Sequence, residues 1–213
     1  MKLKLYMHPL SSYCHKALIA LYENDVAFEP VMVEGSTIEE LRKLWPVGKF
    51  PVLLDERRGH VVPESTIIIE YLDLHYPGKV KLIPTDPERA REVRIRDRFF
   101  DLYLHAPMQK FAADRLRPSD HRDPYGLAEA KRAYRLALDI VESQLGDKPW
   151  VMGDEFTLAD CAAAPALYYG ERFYGPFRKT HPLALGYLDR LMARDSYARV
   201  LEEAKPYFHL LPS

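Results

Sequence analysis

Residues 3–21 read LKLYMHPLSSYCHKALIAL, and the hydrophobic pattern changes within this stretch. Up to Met7, apolar and polar residues alternate, which predicts a half-buried β-strand. After the turn-like His8-Pro9, the apolar residues between positions 17 and 21 recur at helical spacing, which predicts a helix. A strand is therefore followed at once by a helix, and Ser11 and Ser12 lie where that helix begins.

The next fifty residues repeat this alternation. A second strand is predicted over 28–33, a short helix over 37–45, a hairpin over 50–62 and a helix from Ser65. The order β-α-β-α-β-β-α predicts a small mixed sheet with helices packed on it.

Residues 77–87 contain three prolines and a glycine, a composition typical of a linker. Everything after it has a helical pattern. We predict one long helix over 87–115, kinked by Pro107, and further helices over 125–145, from 157, over 182–193 and over 196–204. The chain is thus divided into an α/β domain over residues 1–77 and an all-helical domain over residues 87–213.

The composition excludes several classes of protein. Thirty Lys and Arg against 31 Asp and Glu give a net charge of -1, which predicts attraction neither to nucleic acid nor to an anionic membrane. No apolar run is long enough for a membrane span or a secretory signal. Two cysteines are too few for a disulfide framework, and no histidine pattern suggests a metal site. We expect a cytoplasmic protein.

Three segments together resemble the glutathione S-transferase superfamily over nearly the full length. They are residues 11–21 (SSYCHKALIAL), residues 48–53 (GKFPVL) followed by Pro63-Glu64-Ser65, and residues 148–153 (KPWVMG) running into 156–160 (FTLAD). The resemblance implies a thioredoxin-like first domain that holds glutathione and a helical second domain with a pocket for a small hydrophobic electrophile. It also implies a homodimer, with glutathione as cosubstrate and no tightly bound cofactor.

Ser11 is the candidate catalytic residue. Taken alone, a serine at the start of a helix is more often a plain cap. However, the exposed N–H groups and the dipole at a helix N-terminus favour an anion. By the resemblance, Ser11 falls on the catalytic position of the serine-type classes, so we predict that it stabilises the glutathione thiolate, with Ser12 in reserve.

The resemblance also assigns the glutathione-binding residues. It implies a cis Pro51 that turns the backbone of Phe50 toward the peptide, and a Lys49 that reaches a carboxylate. Ser65 is expected to cap the third helix, whose N-terminus can hold the γ-glutamyl carboxylate. Glu64 can then bind the neighbouring ammonium group.

Two other motifs are given more modest roles. Ser11-Ser12-Tyr13-Cys14 is similar to a glutaredoxin CxxC motif whose first cysteine is replaced, which makes Cys14 a candidate redox residue or a packed apolar one. Thr157 and Asp160 have the spacing of a capping box, a structural motif. The aromatic residues near positions 103–111 and 168–169 are expected to be ordinary core.

The function predicted is a glutathione transferase that conjugates the thiolate to an electrophile. One alternative is a glutathione-dependent isomerase of the maleylacetoacetate type, which the double serine resembles. Another is a non-catalytic protein similar to stringent starvation protein A, a group that acts by contacting RNA polymerase. A thiol oxidoreductase that uses Cys14 is the third.

Overall fold

The computed structural model describes residues 2–212. The predicted fold class is confirmed: a four-stranded mixed sheet with helices is followed by a helical domain. The first part contains β1 (Leu3–Met7), α1 (Ser12–Glu23), β2 (Glu29–Met32), α2 (Thr37–Leu44), β3 (Val52–Asp55), β4 (His60–Pro63) and α3 (Ser65–His75).

The four strands form one sheet in the order β2-β1-β3-β4. β1 pairs in parallel with β2 and antiparallel with β3, and β4 completes the hairpin. Leu5 lies opposite Leu53 at the centre of the sheet, and both are fully buried.

The expectation of a half-buried first strand is wrong, because β1 is covered on both faces. Leu5 belongs to the main core, with residues of α1 and α3. Tyr6, on the opposite face, packs in a second cluster with Val52 and with Leu41 of α2. The helix α2 therefore covers a face that the alternating pattern assigned to solvent.

The second part is helical. It contains α4 (Pro87–Phe99), a π-helical segment (Phe100–His105), α5 (Ala106–Arg115), α6 (Pro124–Leu145), α7 (Leu158–Phe173), α8 (Pro182–Ala193) and α9 (Asp195–Ala204), with 3₁₀ turns at Ser119–His121 and Lys205–Leu210. The Asp86 carboxylate accepts from the Arg89 N–H at 2.8 Å, so it caps α4, with Pro87 at the first helical position.

The predicted long helix over 87–115 is continuous, but its irregularity lies before Pro107. In the π-helical segment the Ala106 N–H bonds to the Asp101 carbonyl, five residues back. A proline has no N–H to donate, and a wider turn can accommodate this loss. The segment also carries Asp101 and His105 in buried positions between the two domains.

The two domains share one continuous hydrophobic core in which α1 packs against α7 and α9. Polar contacts fix the same interface. Arg194 forms two hydrogen bonds with Glu23, each 2.6 Å, and the Tyr169 hydroxyl donates to the Leu10 carbonyl at 2.9 Å. These contacts tie the C-terminal end of α1 and the residues just before its N-terminus to the helical domain.

Candidate functional site

A cavity of about 500 Å³ lies between the two domains, and we call it the interdomain cavity. All five residues assigned to glutathione binding line it: Lys49, Phe50, Pro51, Glu64 and Ser65. The structure thus brings together residues from two separate sequence motifs. The opposite wall belongs to the helical domain and includes Asp97, Arg98, Asp101, Leu102 and Ala106.

The β3 side of the cavity is formed by the loop before that strand. The Phe50-Pro51 peptide bond is cis, and Pro51 is buried while Phe50 is partly exposed. Lys49 is exposed, so its ammonium group can move toward a carboxylate in the cavity.

The α3 side differs from the expectation by one residue. Ser65 is the first helical residue, and Glu64 occupies the cap position with a φ of 69°. Because the Ile68 N–H bonds to the Glu64 carbonyl at 2.9 Å, Glu64 supplies the first helical acceptor, and Ser65 is not the cap. Glu64 is exposed, and it lies beside N–H groups that open α3 and favour an anion.

Ser11 is the N-cap residue of α1, and its hydroxyl oxygen accepts from the Cys14 N–H at 3.3 Å. This bond is the plain capping interaction, and it leaves the hydroxyl proton free to donate. Of the residues in and next to the first turn of α1, Tyr13 lines the interdomain cavity and Ser11 does not, among the residues that the structure describes. The role of Ser11 toward a thiolate stays a prediction.

Ser12 faces the protein interior. Its hydroxyl lies within hydrogen-bonding distance of His105 Nε2 and accepts from the Gln109 amide at 2.8 Å. Asp101 Oδ1 is 3.9 Å from His105 Nδ1, so the residue types resemble a hydrolase triad. However, that distance is too long for a hydrogen bond, and Ser12 is only 3% exposed. Burial lowers the pKa of His105 to about 3, so the imidazole is neutral.

A group of mostly buried charged side chains lies in the wall of the cavity, and the sequence analysis missed it. We call it the charge cluster: Lys16, Thr66, Asp97, Arg98 and Asp101. Lys16 Nζ is fully buried, 2.5 Å from Asp97 Oδ1, 2.8 Å from Asp101 Oδ2 and 2.7 Å from Thr66 Oγ1. The positive charges of Lys16 and Arg98 balance the negative charges of Asp97 and Asp101. The signal that could have found it is a lysine inside the apolar stretch 14–21.

The remaining predicted residues lie outside the cavity lining. Cys14 is fully buried, and burial raises the pKa of its thiol to about 12, which favours the packed alternative over the redox one. Thr157 caps α7 while Asp160 accepts from the Thr157 N–H at 2.8 Å, forming a capping box. Burial raises the pKa of Asp160, whose other carboxylate oxygen accepts from the Val151 N–H.

Residues 2–212 contain neither a cluster of potential metal ligands nor a membrane-spanning helix. No three histidine, cysteine or acidic side chains there are grouped so as to hold a metal ion. No helix in the same range has the length and apolar character needed to cross a membrane.

Comparisons with known proteins show the family of both parts of the chain. Residues 5–80 match the model of the glutathione S-transferase N-terminal domain, and residues 104–195 match that of the C-terminal domain. A stringent starvation protein A homolog of Histophilus somni is 30% identical over 95% of this chain and 91% of that protein.

Two solved structures are similar throughout. A glutathione S-transferase from Methylobacterium radiotolerans, in complex with glutathione sulfonate, is 30% identical, with a TM-score of 0.82 and 94% of each chain covered. The beta-etherase LigF from Sphingobium is 26% identical, with a TM-score of 0.82, over 95% of this chain and all of that one.

Proposed function

The chain belongs to the glutathione S-transferase family, and from this premise we propose that it binds glutathione in the interdomain cavity and transfers the thiolate to a small hydrophobic electrophile. The observation that carries the proposal is the shared lining of that cavity. The sheet-domain residues that the resemblance assigns to glutathione binding form one wall, and the apolar Leu102 and Ala106 of the helical domain belong to the other. A similar structure, 30% identical, contains glutathione sulfonate.

In this proposal the first turn of α3 holds the γ-glutamyl end of glutathione. The N–H groups of that turn favour its carboxylate, and the exposed Glu64 can bind its ammonium group. Lys49 also lines the cavity, where its ammonium group can pair with a second carboxylate. The peptide would then place its sulfur near the opening of α1.

The chemical task is to keep the sulfur ionised. A free thiol has a pKa of about 8.5, and lowering it by two units requires about 2.7 kcal/mol in favour of the thiolate. One hydrogen bond to a charged group contributes about 1.5–3 kcal/mol, and a helix N-terminus adds about 0.3–1 kcal/mol. We propose that Ser11 donates this bond, because its hydroxyl proton is free and it caps α1.

We further propose that the protein acts in the cytoplasm as a homodimer. Support for a dimer comes from apolar side chains left exposed on adjacent helices, with Ile67 on α3 50% exposed and Ile95 on α4 53% exposed. Sedimentation equilibrium should give twice the chain mass, and an Ile95→Glu variant should give the monomer.

The experiment combines glutathione binding by calorimetry with turnover of 1-chloro-2,4-dinitrobenzene. Ser11→Ala should reduce kcat by about 10-fold or more while the Kd for glutathione changes little, because the bond is made to the thiolate. Ser143→Ala, on the exposed side of α6, is the matched control and should change neither. Unchanged turnover in Ser11→Ala would reject the assignment.

A second candidate, a non-catalytic binding protein, is favoured by the 30% identity to the stringent starvation protein A homolog. It predicts glutathione retention without turnover of any electrophile, together with co-purification of RNA polymerase. The same wild-type measurements therefore decide between the two functions.

A further inference from the structure

Tyr13 is a cavity residue that the proposed reaction has not yet used. It lies in the first turn of α1, and its side chain contacts the interdomain cavity. Tyr13 shares the lining of this cavity with the charged residues Asp101, Arg98 and Glu64.

The Tyr13 ring is held in one orientation. It stacks on the His105 imidazole with ring centroids 3.9 Å apart and an angle of 12° between the planes. His105 is fully buried and shares a hydrogen bond with the Ser12 hydroxyl, which accepts a second one from the Gln109 amide. This arrangement assigns the buried Ser12 a supporting role, since it positions the platform on which Tyr13 lies.

The hydroxyl itself is free to bind a ligand. The side chains of Ser11, Ser12 and His15 in this turn have hydrogen-bond partners, but within residues 2–212 no protein group bonds to the Tyr13 hydroxyl. Partial burial raises its pKa to about 12, so it stays a neutral donor at physiological pH. Leu102 and Ala106, the apolar residues on the side proposed for the electrophile, line the same cavity as this rigid, protonated donor.

We propose that the Tyr13 hydroxyl is a catalytic hydrogen-bond donor to the carbonyl oxygen of a conjugated enal or enone, the electrophile class that this site takes. This inference rests on the transferase function proposed above. The thiolate attacks the β-carbon and forms the carbon–sulfur bond, while the π electron pair moves toward the carbonyl and leaves an enolate oxygen. Tyr13 donates to that oxygen, and a proton from water then adds to the α-carbon.

The choice of a carbonyl acceptor follows from where the charge develops. A donor fixed beside a developing oxyanion lowers the barrier, because its bond strengthens in the transition state. An alkyl halide develops its charge on the leaving halide and presents no oxygen to the phenol. Tyr13 should therefore distinguish the two electrophile classes.

The test compares kcat/KM for trans-2-hexenal and 1-iodohexane, which share a six-carbon chain, at saturating glutathione. Tyr13→Phe should lower the value for hexenal by about 10-fold or more and change that for iodohexane by less than about twofold. Tyr125→Phe makes the same chemical change at an exposed site, 76% accessible, and should affect neither. The pH profile and the Kd for glutathione should stay unchanged in Tyr13→Phe.

Three results would overturn the inference and leave the transferase function standing: an equal loss with both electrophiles, no loss with hexenal, or a pH profile moved to higher pH, which would place Tyr13 on the thiolate. Turnover of iodohexane but not hexenal by the wild-type protein would do the same. Absence of glutathione binding in the wild type would reject the function and the inference together.

Discussion

Replacing Lys16 by methionine should destabilise the protein strongly, because it removes one cation from the charge cluster. The Lys16 side chain has no exposed surface, and the Asp97 and Asp101 carboxylates that it contacts are 1% and 7% exposed. Without Lys16, two buried carboxylates share the half-exposed Arg98 as their cation. Leaving a buried charge without its partner costs about 3–5 kcal/mol.

The assay is urea denaturation at pH 7, supported by thermal melting. For a chain of this length, each kcal/mol corresponds to about 2–4 °C, so the melting temperature of Lys16→Met should fall by roughly 6–20 °C. The double variant Lys16→Met/Asp101→Asn should recover part of the loss, because it removes one of the two negative charges. The recovery separates an electrostatic cost from lost packing.

Lys79 provides a matched control. It is paired with Asp25 at 2.8 Å, the same distance as Lys16 to Asp101, but its side chain is 81% exposed. Since solvent screens such a pair, Lys79→Met should leave the denaturation curve unchanged. If the two variants lose equal stability, burial does not set the strength of the cluster and the reasoning is refuted.

Three further predictions follow from buried groups. The pKa of His105 is lowered to about 3 in the folded protein, against about 6.5 in the unfolded chain. Between these two pH values only the unfolded chain binds a proton at His105. The free energy of unfolding should therefore fall by up to about 1.4 kcal/mol per pH unit as the pH is lowered from about 6.5 to about 3. Gly170→Ala should cost about 1–3 kcal/mol because the new methyl group overlaps the Tyr134 hydroxyl, whereas Gly186→Ala has room and should stabilise by about 0.5–1 kcal/mol. The Cys14 thiol should react with an aromatic disulfide reagent at pH 8 only after unfolding, since it is fully buried.

Each of these three predictions has an outcome that would contradict it. Urea curves at pH 7 and 4.5 should differ less for His105→Asn than for the wild type, and an identical difference would remove His105 as the cause. His121→Asn, at an exposed histidine, serves as control. Equal effects of the two alanine variants would contradict the packing argument. Rapid labelling of the native protein would reopen the redox alternative for Cys14.

Local patterns predicted most of the fold. The change from alternation to helical spacing at residues 8–11 located β1 and α1, and Asp86 with Pro87 located the start of α4. These signals work because strand period, cap chemistry and proline geometry are decided by neighbours along the chain. The covered second face of β1 did not follow, because burial of Tyr6 depends on where α2 packs.

The sequence by itself determined the family and the five sheet-domain residues assigned to glutathione binding, since these lie in short motifs whose order is diagnostic. Only the tertiary structure decided which side chains of the first α1 turn face the cavity. Lys16 is hydrogen-bonded to Asp101, which lies 85 residues later in the sequence, and Ser12 to Gln109, which lies 97 residues later. No local pattern encodes such contacts, because they form only when the π-helical segment and α5 dock against α1. That docking buries Ser12 and leaves Tyr13 lining the cavity.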